Sequence, residues 1–258
     1  MYKILKTEFM KLKRYSVVWI GVATTAAVVG MSWFIIWGDS TAEYTFPQYA
    51  GNVIWNNFSL MFPAAITLIA GYIIERERTD DTLKNLLALP VSFRSLLACK
   101  LILVALLAVF FAVLQFGLTL LTLLAGALPG LTPAAALLAL GQMIGMNLCV
   151  YIAVLPIIIL TAQRPGSYMA GVGFAFFYGV AGVFASGHGL TGVYPIAAGL
   201  NLIHHPDVQP TPRDVLTSGI TLLVMLALSL VLLASAQNRE PAGKSARKTV
   251  GKTKKRRA

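Results

Sequence analysis

Four groups of residues in this chain have types and spacings that can do chemistry. His204 and His205, with Asp207 close behind and His188 upstream, are donors of the kind that hold zinc at short spacing. Adjacent histidines on a loop are ordinarily only loop residues, and no His-Glu-x-x-His helix accompanies them, so no metal ligand is assigned. Gly243-Lys-Ser245 and Gly251-Lys-Thr253 end like a phosphate-binding loop, yet Asn238 and Ala246 stand where its first glycine belongs, and no strand precedes either. Gly30-Met-Ser32 has the look of an intramembrane serine nucleophile, but no apolar run supplies a histidine as its base. Catalytic, cofactor and metal assignments are therefore all none. The fourth group is the charged stretch Glu75 to Arg94. Six of the seven residues from Glu75 to Asp81 are ionisable. At a bilayer centre each Asp, Arg or Lys costs about 2.5–3.5 kcal/mol, so this stretch must lie in water.

The elements that position it are apolar. With 57% hydrophobic and 12% charged residues in 258, the chain is far from the roughly 25% charge of a soluble domain. It reads as an all-α integral membrane protein. The net charge of +11 sits in short basic segments beside apolar runs, which suits anionic lipid better than nucleic acid. Cys99 and Cys149 both lie in or beside apolar runs and define no disulfide frame.

Residues 1–15 read as an amphipathic helix on the membrane surface, with Leu5, Phe9 and Leu12 at helical spacing, Glu8 between them, and basic residues mostly on the other face. Six spans follow within 16–236. They run from about Ser16 to Trp37, Asn52 to Ile74, Leu96 to Leu124, Ala134 to Ala162, Tyr168 to Phe184 and Val215 to Ala236, each long enough for a core of about 30 Å. Pro63 interrupts the second span, which requires neighbours to satisfy a freed carbonyl. Lys100 enters the third with a stem able to snorkel to the headgroups. Gly141, Gly145, Gly171, Gly173, Gly179 and Gly182 are candidates for close helix approach, and Gln115, Thr119, Gln142 and Asn147 for hydrogen bonds between helices or for the lining of a path. Between spans five and six, residues 186–214 form the longest connection; its apolar part, Val193 to Ile203, is too short to cross and reads as re-entrant or interfacial. Residues 237–258 form a basic tail expected to be disordered.

Placing both termini in the cytoplasm puts 20 of the 21 Lys and Arg inside and leaves only Arg213 outside. The positive-inside rule thus predicts a multi-pass plasma-membrane protein with 75–95 as a cytoplasmic loop and 186–214 outside. No Asp or Glu falls within a span core, which argues against ion-coupled transport and for energy supplied by another chain. The loop's acidic start suits a helix N-terminus, and Leu83, Leu86, Leu87 and Pro90 form an apolar edge for the membrane surface or a soluble partner.

Glu75, Thr82-Leu83-Lys84-Asn85-Leu86-Leu87, Pro90-Val91-Ser92 and Lys100-Leu101 resemble the first cytoplasmic loop of type-two ATP-binding-cassette permeases. Leu5-Lys-Thr-Glu8 with Lys11-Leu-Lys-Arg14 resembles that family's amphipathic opening helix. Phe62-Pro63 and Lys84-Asn85-Leu86-Leu87 are similar to the lantibiotic-immunity and bacitracin-export permeases. One departure is Asp81, where family members often carry glycine. The resemblance implies a coupling helix between spans two and three, in which Glu75, Glu77, Thr82, Leu83, Lys84, Leu86, Leu87 and Pro90 engage a separate ATPase subunit. It further implies a second permease copy or a sister permease, surrounding membrane lipids, no nucleic acid, and a transport subunit rather than an enzyme. The function expected is export of an amphiphilic peptide or antibiotic. The alternative is a membrane anchor or sensor that recruits a cytoplasmic partner through the same loop.

Overall fold

The computed structural model describes residues 9–12, 16–38, 43–79, 93–124, 126 and 128–236. Within them the chain forms helices and no strand. In order these are α1 (Val17–Gly38), α2 (Phe46–Asn56), a π-helical turn (Asn57–Met61), α3 (Phe62–Thr79), α4 (Phe93–Thr122), α5 (Pro133–Ala162), α6 (Tyr168–Gly187), α7 (Pro195–Leu202) and α8 (Pro212–Ala234). Six stretches are long and apolar enough to cross a bilayer, the second being the continuous Phe46–Arg76. The protein is an all-α membrane protein of six spans.

The second span starts at Phe46, earlier than the apolar run alone indicates. The reason is a local start signal, Thr45-Phe46-Pro47-Gln48. Gln48 Oε1 accepts the Thr45 N–H at 2.9 Å, and Pro47 occupies the first turn, where a missing N–H costs nothing. The fourth and sixth spans open in the same way. Thr132 Oγ1 accepts the Ala135 N–H at 3.1 Å ahead of Pro133. Thr211 and Asp214 cap each other, with Asp214 Oδ2 accepting the Thr211 N–H at 2.9 Å ahead of Pro212. All three caps lie at one end of the bundle, where Phe46 N–H also donates to the Pro129 carbonyl at 2.9 Å.

The second span is the most enclosed of the six and the sixth the least. α3 packs on α6, α5, α1 and α4, while α5 packs on α4, α7 and α8. Pro63 leaves the Ser59 carbonyl without its helical donor and crowds it, and the chain widens there into the π-helical turn. Close packing against α6 is possible because residue 179 is glycine: a Cβ on it would stand 2.7 Å from Ser59 O and 3.0 Å from Pro63 Cγ.

The π turn also aims Asn57 into the core. Its Nδ2 donates to Gln115 Oε1 on α4 and to Asn147 Oδ1 on α5, both at 2.9 Å. Gln115 Nε2 reaches the Val53 carbonyl at 3.4 Å and Asn147 Nδ2 the Ala108 carbonyl at 3.3 Å. Thr119 Oγ1 returns to the Gln115 carbonyl at 2.8 Å. These polar groups are buried and joined to one another, as bilayer energetics demands of polar groups at depth. Asn57, Gln115 and Asn147 are interhelical partners.

Of the glycines singled out for close approach, Gly171, Gly179, Gly182 and Gly145 meet Thr161, Ser59, Ile196 and Ile203 respectively. Gly141 and Gly173 face nothing within 4 Å. Spacing marks small residues but not which side of a helix has a neighbour.

α7 is enclosed by other helices. Ile196 to Asn201 are all buried, packed between α5, α6 and α8. Eight residues make about 12 Å of helix, too short to cross. Asn201 Nδ2 donates to Ser218 Oγ at 2.9 Å and to Thr191 Oγ1 at 3.2 Å, tying this short helix to the last span.

Candidate functional site

The charged stretch leaves the second span at Glu75 and rejoins the third at Phe93. Residues 80–92 lie outside the described residues, so Thr82, Leu83, Lys84, Leu86, Leu87 and Pro90 are not placed; nor is the Glu77 side chain, nor Leu5 and Glu8 in the N-terminal segment. The ends of the stretch are placed, and each is fastened to a different part of the bundle.

Glu75 sits on the last turns of α3. Its Oε1 accepts the Gly166 N–H at 2.9 Å. Gly166 belongs to the tight connection between α5 and α6 and has φ +74°, a left-handed conformation glycine adopts without steric cost. Ser167 closes the same turn, its Oγ donating to the Thr161 carbonyl at 2.7 Å. The carboxylate thus links the exit of the second span to the hinge between the fourth and fifth.

Arg94 lies in the first turn of α4. Its Nε donates to the Ala236 carbonyl at 3.3 Å, which links the return of the stretch to the end of the sixth span. Lys100 joins the two sides to each other: its Nζ donates to the Ile73 carbonyl of α3 at 2.9 Å. Lys100 is 2% exposed. The expected snorkelling to the headgroups is therefore wrong, because a carbonyl one helix away offers the ammonium a strong acceptor within reach of its stem. Sequence position marks Lys100 as near a membrane boundary but does not choose between the two directions.

Residues 9–12 are helical and lie beside this same end of the bundle. Phe9 and Leu12 line an apolar groove with Val18 of α1 and Leu103, Leu106, Leu107 and Phe110 of α4. The two described members of the interfacial set thus meet the first and third spans together.

At the other end of the bundle the histidines do separate things. His188 Nδ1 lies 2.8 Å from the Phe184 carbonyl on an exposed helix end. His204 is exposed and has φ +51°. His205 is 1% exposed; its Nε2 lies 3.1 Å from the Gly51 carbonyl of α2, and its Nδ1 accepts the Asp207 N–H at 3.3 Å. Burial pushes the His205 pKa below the ordinary histidine value, against smaller opposing effects of the Gly51 carbonyl and Asp207. Among the described residues no group of three or more His, Cys, Asp or Glu could hold a metal ion. Sequence reasoning missed the contact of His205 with α2, since a separation of 154 residues leaves no local trace.

Among the described residues of this arrangement no nucleophile is paired with a base. At the two ends of the stretch Glu75 meets the connection between the fourth and fifth spans, Lys100 the backbone of the second and Arg94 the end of the sixth. A family model described as an ABC-2 family transporter protein matches residues 4–182, more than two thirds of the chain. No curated protein matches.

Proposed function

The chain belongs to the ABC-2 family of transporter proteins, and from that premise we propose that it is a membrane-spanning exporter subunit driven through residues 75–95 by a separate cytoplasmic ATPase. In this reading residues 1–15 are an interfacial helix, 16–236 the permease proper, 186–214 an external loop, and 237–258 a basic cytoplasmic tail near anionic lipid. Both termini are cytoplasmic, and two permeases, identical or sister chains, enclose the transport path. The subunit is not an enzyme.

The observation that carries the reading is the fastening of the stretch at both ends. Glu75 holds the connection between α5 and α6, Arg94 the end of α8, and Lys100 the α3 backbone. A push on residues 80–92 is therefore passed to spans two, three, five and six together. Leu83, Leu86, Leu87 and Pro90 supply the apolar edge that a groove on the ATPase would take up, with Glu77, Thr82 and Lys84 around it. No Asp or Glu falls within a span core, which supports energy supplied by another chain.

The cargo we infer is an amphiphilic peptide or antibiotic at the outer leaflet, as in the lantibiotic-immunity and bacitracin-export permeases. Its support is the likeness of Phe62-Pro63 and Lys84 to Leu87 and the apolar character of the outward-facing span surfaces. Replacing Leu83 and Leu86 together by Asp should abolish co-purification of the ATPase from native membranes while the permease still inserts. ATPase recovery equal to wild type sinks the docking claim. Expression of the permease with its ATPase should raise resistance to a lantibiotic or bacitracin, and unchanged sensitivity to both removes the cargo assignment.

A further inference from the structure

The short α7 is followed by a turn that reaches across the bundle to α2, and His205 is the residue that makes the crossing. Its two nitrogens face groups of opposite kind. The Gly51 carbonyl can only accept, so Nε2 carries the hydrogen there. The Asp207 N–H can only donate, so Nδ1 must offer a lone pair. Only the neutral ring with its proton on Nε2 satisfies both. The ring is packed against Trp55, with centroids 5.8 Å apart, and approaches the α2 backbone where Gly51 lacks a side chain, an added Cβ there standing 3.5 Å from Nε2.

We propose that His205 is a proton-operated latch between α2 and the α7 turn, closed while the imidazole is neutral and released when it is protonated. A second proton on Nδ1 sets one N–H against the Asp207 N–H, and the arrangement cannot persist. The Asp207 carboxylate waits nearby, its Oδ2 3.9 Å from Nδ1 on a largely exposed side chain, and becomes the acceptor once the backbone bond is given up. Two discrete partners for one nitrogen make the device two-state.

The surroundings identify what else could titrate. α2 presents Gly51 and Trp55 to the ring, neither ionisable. α5 holds the preceding residues through Gln142, whose Nε2 donates to the Ile203 and His204 carbonyls at 3.0 and 3.1 Å. Among the described residues Asp207 is the charged group that acts on the ring. The depressed pKa keeps the latch neutral at pH 7. The sign follows: the native state binds fewer protons here than the unfolded chain, so the latch's contribution is complete above about pH 6.5 and is lost as pH falls through the lower native value.

The proposal rests on the reading that 186–214 faces outside, which makes external acidity the signal that frees the turn after α7 from α2. Its structural core can be tested without that reading or any ATPase. Hydrogen exchange of residues 203–211 is measured in detergent-solubilised full-length protein at about pH 7.5, about pH 5 and steps between them, corrected for intrinsic rates. Wild type should lose protection by about tenfold or more at the lower pH. His205→Gln, which keeps a donor for Gly51 and a non-titrating acceptor for Asp207, should show the same protection at both. Asp207→Asn removes the waiting acceptor and should move the wild-type transition to lower pH. A transition retained in His205→Gln, a midpoint unmoved in Asp207→Asn, or no transition in wild type each overturns the latch. Should His205→Gln fail to fold, the Asp207→Asn midpoint decides alone.

Discussion

Asn57 joins three spans through one amide, and its side chain is worth more than its size suggests. Leucine at this position would leave the Gln115 and Asn147 carbonyl oxygens without the donor each now has at 2.9 Å. An orphaned buried acceptor costs about 1–3 kcal/mol in general, and about 0.6–1.7 kcal/mol where measured between membrane helices. Asn57→Leu should therefore lower thermal stability in detergent by about 1–3 kcal/mol, read as the loss of monodisperse protein on heating. Stability equal to wild type removes the node from any account of the core. Gln115 and Asn147 were legible in the sequence as polar residues in apolar runs, but Asn57 was not. It stands near the start of its run, and only the π turn swings it inward.

At the scale of elements, the contact of α6 with the second span depends on two local features meeting. Pro63 opens the helix at Ser59, and Gly179 lets α6 come against the opening. Valine at 179 must displace backbone, since its Cβ would stand 2.7 Å from Ser59 O. Gly179→Val should cost about 1–3 kcal/mol, whereas Gly173→Val, with nothing within 4 Å, should be close to neutral. Equal melting of the two variants in the same detergent would contradict the packing described. Glu75 belongs at this scale too. Glu75→Leu removes the acceptor for Gly166 and, in the proposed reading, should leave ATPase binding intact while reducing export severalfold, because the stretch then pushes spans two and three without the hinge between α5 and α6. Full export by Glu75→Leu would show that this link does not carry the coupling.

For the whole molecule, two sets of connections gather at opposite ends of the bundle. Glu75 meets Gly166 and Arg94 meets Ala236 at one end. Thr45 meets Gly130 and Gly51 meets His205 at the other. The proposed orientation across the membrane is argued from the basic residues and can be tested cleanly, since both native cysteines are buried. Leu190→Cys should react with a membrane-impermeant maleimide in intact cells. Pro165→Cys, exposed in the α5 to α6 turn, should react only after permeabilisation. The reverse pattern would invert the topology and place 75–95 outside, where no cytoplasmic ATPase could reach it.

The sequence by itself determined the number of spans, and it set the aqueous position of the charged stretch and the sidedness as expectations. Those are consequences of transfer free energy, which is summed residue by residue and needs no knowledge of neighbours. The family resemblance likewise lay in contiguous residues. The tertiary structure alone decided that Lys100 turns inward to Ile73, that Glu75 and Arg94 hold the fifth and sixth spans, that α7 is buried, and that His205 locks onto α2. For Lys100, Glu75, Arg94 and His205 the partner is a backbone group elsewhere in the chain, and for α7 it is the surface of three other helices. A carbonyl or N–H has the same identity at every position, so no pattern of side chains announces which one a polar residue will find.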